Sequence, residues 1–417
     1  MMKTDVTVIG GGPAGLAAAL KASEKSDVLI IERGKELGGI LPQCIHEGFG
    51  NFIFNKTLTG PEYAQYYINK INKLNIKVKT NTTVLKIESN KNIIATNSYD
   101  GIIKIDTKSI ILAMGCRERT RSQILIPGTR PAGIYTAGTA QRLINIDGYM
   151  PGKNVIILGS GDVGLIMARR FSLEGATVSG VYEIMPNAGG LTRNIVQCLD
   201  DYDIPLFLSH TISNIFGDKR ITGVNVAKVD ESFKPIISTE RYIPCDCLIL
   251  SIGLIPEIDL CNNINIKIDN KTNGILVDNK MESSIPGIFA CGNIVHVYDL
   301  VDDVTISSEI AGENASNFID FTKTKNKDIK IIPGNNVRYV VPQIIKNQDF
   351  DETKFYLRVN QEKRNVNIIV REANNIIFQK NERIVKPPEM LSIKLSKKLI
   401  ESISNNEIYV DIRCQNE

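Results

Sequence analysis

Apolar residues along most of this chain fall into short continuous runs, with longer segments that favour helices between them. Residues 5–9, 27–32 and 154–158 are such runs, typical of strands buried on both faces of a parallel sheet. Residues 14–25 and 162–175 each follow one of these runs and have the length and composition of helices. Because strands and helices alternate, the pattern predicts an α/β fold.

Three further apolar runs carry a glycine near their carboxyl end, which marks a close approach of the backbone to a neighbour or ligand. They cover residues 109–115, 247–257 and 285–293. A last helix is predicted over residues 305–321, with one apolar face at positions 306, 310, 311, 315, 318 and 319. Asp302 and Asp303 precede this segment and are candidate N-cap residues.

The pattern changes after about residue 325, where a charged segment, residues 323–330, predicts a linker. Beyond it, β-branched runs alternate apolar and polar positions and are separated by short polar turns. The runs lie at residues 336–345, 353–360, 364–372, 375–385, 390–395 and 407–413. We therefore predict an all-β domain over residues 330–417, similar to a small sandwich and without catalytic residues of its own.

Glycine-rich turns join a strand to a helix at two places with the spacing Gly-x-Gly-x-x-Gly. The glycines are Gly10, Gly12 and Gly15 in the first turn and Gly159, Gly161 and Gly164 in the second. The first glycine of each set permits a tight turn, the second lets the backbone approach a pyrophosphate, and the third packs helix on strand. Two such units, one inserted within the other, predict two nested Rossmann-like dinucleotide-binding domains.

An acidic residue ends the second strand of each unit, Glu32 in the first and Glu183 in the second. A carboxylate at this position accepts hydrogen bonds from ribose hydroxyls. At Glu183 it would repel a 2′-phosphate, so the sequence favours NAD(H) over NADP(H). Arg193, ten residues further on, would weaken that preference.

Composition narrows the class of protein but not its chemistry. The chain has 417 residues, of which 43% are hydrophobic and 23% charged, as in a globular protein of two or three domains. A net charge of +3 gives no reason to expect nucleic acid or an anionic membrane as partner. Asp5 and the following GGGP interrupt the apolar N-terminus, so we expect a cytoplasmic protein rather than a secreted one. Eight scattered cysteines without a Cys-x-x-Cys pair predict no metal site.

With these motifs in this order, the chain resembles the two-dinucleotide-binding-domain flavoproteins of the pyridine nucleotide–disulfide oxidoreductase superfamily. The resemblance covers about residues 1–325. It implies FAD in an outer domain, residues 1–116 with 284–325, and NAD(H) in an inserted domain, residues 150–283. Residues 117–149 would connect the two.

The resemblance also implies roles for single residues. Glu32 would bind the adenosine ribose of FAD, Val84 would contact the adenine through its main chain, and the Gly292-Asn293 pair would approach the ribitol and pyrophosphate. The family usually has Gly-Asp there, so asparagine removes a negative charge near the phosphates. The N-terminus of the last helix would face the pyrimidine edge of the flavin and stabilise the charge of its reduced form. Further expected cofactor contacts are Pro13, Ala14, Arg33, Gly39, Ala113 and Gly115 for FAD, and Asp162, Val163 and Gly253 for NAD(H).

Cys44 and His46 lie in a glycine-rich stretch, residues 38–50, that would pass beside the flavin. Disulfide reductases of this superfamily have a Cys-x4-Cys pair there, and thioredoxin reductase-like members have Cys-x-x-Cys in the second domain. This chain has neither, so a dithiol relay is not predicted. Three interpretations stay open: a single redox-active thiol, His46 as a proton carrier, and a loop that only packs on the flavin.

Four stretches give a closer resemblance, to FAD-dependent subunits associated with anaerobic-type glycerol-3-phosphate dehydrogenase, dye-linked amino-acid dehydrogenases and hydrogen cyanide synthase. They are residues 38–50, 115–144, 185–211 and 292–304. The resemblance implies an electron-transfer role beside a small electron-carrier protein and a separate dehydrogenase subunit. Two other hypotheses remain: a non-catalytic scaffold with structural nucleotide sites, and a stand-alone NADH oxidase that uses Cys44.

Three other features have both a chemical and a structural interpretation. Residues 116–121 contain three arginines that would hold a phosphate or an acidic partner, or form a solvated hinge. His296 follows the Gly-Asn pair and would donate a hydrogen bond to the flavin, or be a satisfied histidine at an interface. Leu191–Ile204 is predicted as an amphipathic helix.

Overall fold

The computed structural model describes residues 2–318, 328–346 and 352–415. The chain divides into two compact units, residues 1–116 with 256–417, and residues 117–255. These limits differ from the predicted insertion at 150–283, and the predicted domain limits stay predictions. Most of the predicted linker, and the end of the predicted last helix, lie outside the described residues.

The first part of the chain forms eight strands and two helices. They are β1 (Met2–Ile9), α1 (Pro13–Ala22), β2 (Val28–Ile31), β3 (Glu47–Phe49), β4 (Leu58–Thr59), α2 (Gly60–Lys73), β5 (Lys77–Lys79), β6 (Thr83–Ile87), β7 (Ile93–Asn97) and β8 (Gly101–Leu112). Thr59 caps α2 with a capping box, in which its hydroxyl accepts from Glu62 N and Glu62 accepts from the Thr59 backbone.

The middle of the chain continues the numbering as a second set of strands and helices. They are β9 (Cys116–Glu118), β10 (Ile134–Thr136), α3 (Ala137–Asn145), β11 (Asn154–Leu158), α4 (Asp162–Leu173), β12 (Thr177–Glu183), α5 (Thr192–Cys198), β13 (Leu206–Leu208), β14 (His210–Gly217), β15 (Ile221–Lys228), β16 (Arg241–Pro244), β17 (Cys247–Leu250) and β18 (Leu254–Pro256). The predicted helix over Leu191–Ile204 is wrong in length, because α5 ends at Cys198 and a short 3-10 turn follows. Asp203 then has a left-handed backbone, with φ 53°, which ends the 3-10 turn.

The described residues after Pro256 form nine strands, one long helix and one short helix. They are β19 (Ile288–Ala290), α6 (Val301–Asn317), β20 (Ile329–Pro333), β21 (Val337–Val341), β22 (Ile344–Ile345), β23 (Glu352–Val359), β24 (Lys363–Glu372), β25 (Asn375–Val385), β26 (Leu391–Ser396), α7 (Lys397–Glu401) and β27 (Glu407–Cys414). The short helix α7 was not expected in a segment predicted to be all-β.

The first sheet places the ends of three parallel strands side by side. Its order is β5-β2-β1-β8-β7-β6, with β19 paired to β8. Strands β1, β8 and β19 run parallel, so their carboxyl ends lie at one edge. Helix α1 is rich in alanine because α6 packs closely on it: a Cβ added at Gly312 would lie 2.3 Å from the Ala18 carbonyl oxygen.

The second unit contains a parallel sheet and an antiparallel one, whereas the first sheet is mixed because β6 and β7 pair antiparallel. The parallel sheet has the order β10-β17-β11-β12-β13, and the antiparallel sheet the order β14-β15-β16. The segment predicted as a connection, residues 117–149, contributes β10 and α3, which explains why it belongs to this unit. The fold is thus mixed α/β, as predicted.

Two sheets in the C-terminal part share one hydrophobic core. Their orders are β22-β20-β27-β24-β25 and β21-β23-β26, and buried side chains from both sheets meet in one cluster. Tyr339, Val341 and Tyr356, on β21 and β23, belong instead to the core of the first sheet and its helices. The C-terminal sheets therefore pack directly against the first dinucleotide fold.

Candidate functional site

The first glycine-rich turn has the shape that a dinucleotide phosphate requires. Gly10 has φ +106°, and a Cβ there would lie 2.4 Å from the Ala113 carbonyl oxygen. A Cβ at Gly15 would lie 1.8 Å from the Gly10 carbonyl oxygen. At Gly12 the only described atom within 4 Å of such a Cβ is Gly39 Cα, at 3.7 Å. The turn is thus closed by packing at its first and last glycines and open at the middle one, which fits a bound pyrophosphate.

The N-terminus of α1 supports the same interpretation. Gly12 is its N-cap residue, Pro13 opens the helix, and no side chain caps it. The first turn of a helix has free N–H groups and the positive end of the helix dipole. The residues present therefore fit the phosphates of FAD.

Glu32 holds the first turn in shape. Its Oε2 accepts a hydrogen bond from Gly11 N at 2.6 Å, and its Oε1 accepts one from Gly34 N at 2.6 Å. Each oxygen keeps a second lone pair, so the carboxylate can still accept from a ribose. The neighbouring Arg33 is exposed.

The second glycine-rich turn repeats this geometry. Gly159 has φ +97°, and a Cβ there would lie 2.1 Å from the Ser251 carbonyl oxygen. A Cβ at Gly164 would lie 2.7 Å from Ser251 Cβ, whereas one at Gly161 would meet nothing described closer than Ser251 Oγ at 3.5 Å. Ser251, just after β17, thus takes the place that Ala113 has in the first turn. The open middle glycine fits a second dinucleotide.

Glu183 binds the second turn as Glu32 binds the first. Its Oε2 accepts from Ser160 N at 2.9 Å and from Ser160 Oγ at 2.6 Å, and its Oε1 accepts from Met185 N at 2.9 Å. Ser160 Oγ in turn accepts from Gly189 N at 2.7 Å. Sequence reasoning missed Ser160, although its position between the first two glycines of the motif was a usable signal.

Asp162, the first residue of α4, directs its carboxylate toward α5. Its Oδ1 accepts from Leu191 N at 2.8 Å and from Asn194 Nδ2 at 2.6 Å. The carboxylate therefore ties α5 to α4. Arg193 is exposed on α5, and Val163, also predicted as a contact, is exposed at the start of α4.

Gly292 brings the starts of two helices together. It has φ +72°, and a Cβ there would lie 2.7 Å from Ala14 Cβ in α1 and 3.5 Å from Val304 Cγ1 in α6. Asn293 accepts from Tyr298 N at 3.1 Å and donates from Nδ2 to Cys116 Sγ at 3.6 Å. A glycine is required here because any side chain would separate α1 from α6.

The remaining predicted cofactor contacts belong to both units. Val84 is buried on β6, and Gly39 is exposed beside Gly12. Gly115 has φ +69° and Gly253 φ +101°, and an added Cβ at either would meet no described atom closer than 3.9 Å. Their roles toward a cofactor stay predictions.

The start of α6 differs from the prediction. Leu300 is the N-cap residue and the helix begins at Val301, without a side-chain cap. The prediction that Asp302 and Asp303 cap the helix is therefore wrong. Both lie in its first turn, where Asp302 accepts from Ile53 N at 3.2 Å and Asp303 accepts from Lys354 Nζ at 2.5 Å.

Cys44 is held as a neutral thiol. It follows a 3-10 turn at Leu41–Gln43, and its Sγ donates to the Ile40 carbonyl oxygen at 3.4 Å. Burial raises the pKa of the Cys44 thiol to about 12. The ring of His46 lies 5.2 Å from that of Phe49. Because the thiolate is the nucleophile, these surroundings oppose a reactive Cys44.

Replacing Cys44 with serine is expected to leave the rate of NADH oxidation within about twofold of the wild type, since a thiol whose pKa is near 12 contributes almost no thiolate at pH 7. The measurement is steady-state turnover with an artificial electron acceptor and, separately, with oxygen. A loss of more than tenfold with either acceptor would show that the thiol takes part in turnover.

His296 is a buried histidine among aromatic rings. It is 1% exposed, and its ring centroid lies 4.0 Å from that of Tyr298, 5.7 Å from Tyr339 and 5.8 Å from Tyr356. Within the described residues neither ring nitrogen has a hydrogen-bond partner. Burial, together with the positive charge of Arg358, lowers the pKa of His296 to about 3. The ring is therefore neutral. A histidine satisfied by other described residues is ruled out, and a hydrogen bond from His296 to the flavin stays a prediction.

A His296→Leu variant is expected to resist acid better than the wild type. The folded-state pKa of about 3 lies below the ordinary 6.5, so the unfolded chain binds a proton first and stability falls as pH drops through that window. Between pH 7 and pH 4, His296 is expected to lower the free energy of unfolding of the wild type by about 3 kcal/mol, a loss that His296→Leu does not suffer. Urea unfolding of both FAD-loaded proteins across that range measures it.

The comparison of the two proteins isolates His296 from other titrating groups. Burial raises the pKa of Asp278 to about 6, which has the opposite effect on stability as pH falls, but this residue is the same in both proteins. Parallel pH curves for the wild type and His296→Leu would contradict the assignment.

Arg121 has a structural role. Its guanidinium donates to the carbonyl oxygens of Ile126 at 3.1 and 3.0 Å, Pro127 at 3.1 Å, Gly128 at 3.0 Å and Thr129 at 2.5 Å. It thus closes its own turn, and a phosphate or an acidic partner at residues 116–121 stays a prediction. In the described residues no group of acidic, histidine and cysteine side chains could hold a metal ion.

None of the helices among the described residues has the length and apolar character of a membrane span.

Comparison with known proteins agrees with this geometry. Residues 4–315 match the family model described as pyridine nucleotide-disulphide oxidoreductase. An opine oxidase subunit of Agrobacterium tumefaciens is 25% identical over 62% of this chain and 54% of its own length. The hydrogen cyanide synthase subunit HcnB of Pseudomonas protegens is 23% identical over 70% of this chain and 66% of its own length. The match thus spans less than two thirds of either relative.

A shorter relative is matched over nearly its whole length. Ferredoxin–NADP reductase of Streptococcus pneumoniae is 28% identical over 76% of this chain and 94% of its own length. Among solved structures, thioredoxin reductase of T. acidophilum covers 77% of this chain with a TM-score of 0.60 at 22% identity. That likeness shows the fold alone.

Proposed function

The chain belongs to the pyridine nucleotide-disulphide oxidoreductase family, and we propose that it exchanges electrons between NAD(H) and a partner protein through bound FAD. Members of this family are oxidoreductases that depend on FAD and NAD(P), so this chain is an enzyme or enzyme subunit of that kind. Flavin, when bound, accepts two electrons from a nicotinamide and releases them singly or in pairs.

The observation that carries the proposal is the pair of equivalent turns. Gly12 and Gly161 are open to a ligand, whereas the flanking glycines are closed by packing. An acidic side chain holds each turn from behind, Glu32 through Gly11 N and Glu183 through Ser160 N. The chain thus provides two separate cradles for a dinucleotide, one in each unit.

NAD(H) rather than NADP(H) is proposed because of Glu183. The residue is 7% exposed, and its carboxylate is fixed by three hydrogen bonds from Ser160 and Met185. A fixed anion at the end of this strand favours a free 2′-hydroxyl and repels a 2′-phosphate. Arg193 is exposed on α5, where solvent screens its charge.

An electron-transfer role, rather than oxidation of an organic substrate, is proposed because two relatives are named as subunits of an oxidase and a synthase. In this proposal a separate dehydrogenase subunit oxidises the organic substrate, with glycerol 3-phosphate as the first candidate. That candidate is supported only by the resemblance of residues 38–50, 115–144, 185–211 and 292–304. The neutral Cys44 thiol counts against a stand-alone oxidase that works through a sulfenic acid.

The test is turnover of the FAD-loaded chain alone with NADH or NADPH. We expect ready transfer to an artificial acceptor, slow transfer to oxygen, and at least tenfold preference for NADH. Rapid oxygen reduction would favour the stand-alone oxidase. Copurification with a tagged chain from its own cells, followed by identification of any bound dehydrogenase subunit, tests the partner directly.

A further inference from the structure

Two cations from the C-terminal sheets meet the acidic start of helix α6. Lys354 and Arg358 lie on β23, beyond the residues 4–315 that the family model matches. Lys354 Nζ lies 2.5 Å from Asp303 Oδ1, and the Arg358 guanidinium is paired with Asp299. The dinucleotide fold therefore receives compensating charge from a segment that its family model does not include.

Both ion pairs are well enclosed and have additional partners. The side chains of Lys354 and Asp303 are 22% and 14% exposed, and those of Arg358 and Asp299 are 14% and 15% exposed. Tyr356 also donates its hydroxyl to Asp303, at 3.1 Å, and Arg358 Nε donates to the Tyr339 hydroxyl at 3.0 Å. In such surroundings charges interact more strongly than in water, because solvent screens them less.

The charge at the start of α6 matters because this end of the helix lies near the start of α1. Val304 in its first turn is a neighbour of Gly292, and Gly292 is a neighbour of Ala14 at the start of α1. A dinucleotide bound at α1 would thus extend toward the start of α6. The positive end of the α6 dipole stabilises negative charge there, and unpaired carboxylates at Asp299 and Asp303 would oppose that effect.

We propose that Lys354 and Arg358 are positioning residues for electron transfer: they cancel the charges of Asp303 and Asp299 and so keep the reduction potential of bound flavin high enough for reduction by NADH. The C-terminal sheets would then have an electrostatic role in addition to a structural one. This inference depends on the proposed function, since it requires FAD at the first cradle.

The experiment is equilibrium reduction of the FAD-loaded chain against a reference dye, read from the visible spectrum. Lys354→Met is expected to lower the ratio of reduced to oxidised flavin about tenfold at a fixed potential, which is about 30 mV for a two-electron couple. The double variant Lys354→Met/Asp303→Asn should return to within about threefold of the wild-type ratio, because the uncompensated charge is gone.

Two controls separate charge from packing. Lys354→Arg keeps the charge and should keep the wild-type potential. Lys380→Met removes a cation that is paired with Glu382 at 2.8 Å on β25, 48% exposed, and should change nothing. If Lys354→Arg and Lys354→Met change the reduction potential of the flavin equally, the Lys354–Asp303 pair acts only through packing and the proposal fails.

Each remaining outcome is decisive. The proposal is overturned if bound flavin in Lys354→Met has the wild-type reduction potential. It is also overturned if the flavin potential of the double variant differs from the wild type as much as that of Lys354→Met. If Lys354→Met loses FAD, recovery of FAD in the double variant still supports charge compensation, and no recovery contradicts it. Failure of the proposed function is a separate result, because there the wild-type chain itself would take up no FAD.

Discussion

Replacing Gly12 with alanine is expected to give a folded protein that is colourless. A Cβ at this position would meet no described protein atom closer than 3.7 Å, so the chain itself can accommodate the methyl group. The methyl would instead occupy the space through which a pyrophosphate approaches the backbone at the start of α1. We expect the affinity for FAD to fall at least 100-fold, about 2.7 kcal/mol.

The measurement for Gly12→Ala is the visible spectrum of the purified protein before and after incubation with FAD, with circular dichroism and thermal unfolding to show that it is folded. Gly15→Ala is the contrasting variant, because its methyl would lie 1.8 Å from the Gly10 carbonyl oxygen and should damage the fold itself. A Gly12→Ala protein that binds FAD like the wild type would show that the first cradle does not hold the flavin nucleotide.

Replacing Gly161 with alanine is expected to separate the two cofactors. Its methyl would come no closer to described protein atoms than 3.5 Å, from Ser251 Oγ, so this chain should also fold. The protein should remain yellow, because the first turn is unchanged. We expect NADH to reduce its flavin at least 100-fold less efficiently, while dithionite, which needs no nucleotide site, still reduces it fully.

The Gly161→Ala variant is checked by anaerobic stopped-flow reduction over a range of NADH concentrations. The two alanine variants serve as controls for each other, since one should lose the flavin and the other only the response to NADH. Wild-type reduction of Gly161→Ala by NADH would show that the second turn is not the nucleotide site.

The glycine-rich turns could be predicted from sequence because their requirements are local. Strand β11 covers the predicted residues 154–158, and α4 starts directly after the predicted turn. At Gly10 and Gly15 the nearest obstructing atoms belong to residues of the same strand–turn–helix unit or of the next parallel strand. A short motif with such steric requirements specifies its own conformation.

The charges around α6 could not be predicted in this way, because their partners are distant in sequence. Asp303 has the sequence signature of an N-cap residue, but Lys354 and Tyr356 bind it from a different sheet. The burial of His296 also depends on residues distant in sequence, because Tyr339 on β21 and Tyr356 on β23 enclose its ring. Local pattern gives an element and its capping preferences, whereas these contacts follow from how the C-terminal sheets pack.

The contacts of Arg121 could not be predicted from local sequence either, although its partners are close in sequence. Three arginines in residues 116–121 suggested an anion site, but the carbonyl oxygens that Arg121 binds, in residues 126–129, are offered only after that turn has folded. The direction of backbone carbonyl groups in an irregular turn is not encoded by the charge pattern.

The most direct test is anaerobic titration of the purified, FAD-loaded wild-type chain with NADH, followed at the visible absorption bands of the flavin. We expect the chain to take up FAD and about one equivalent of NADH to bleach it, with NADPH much less effective. A correctly folded chain that binds no FAD, or a bound flavin that neither nucleotide reduces, would contradict the proposed electron transfer between two cradles.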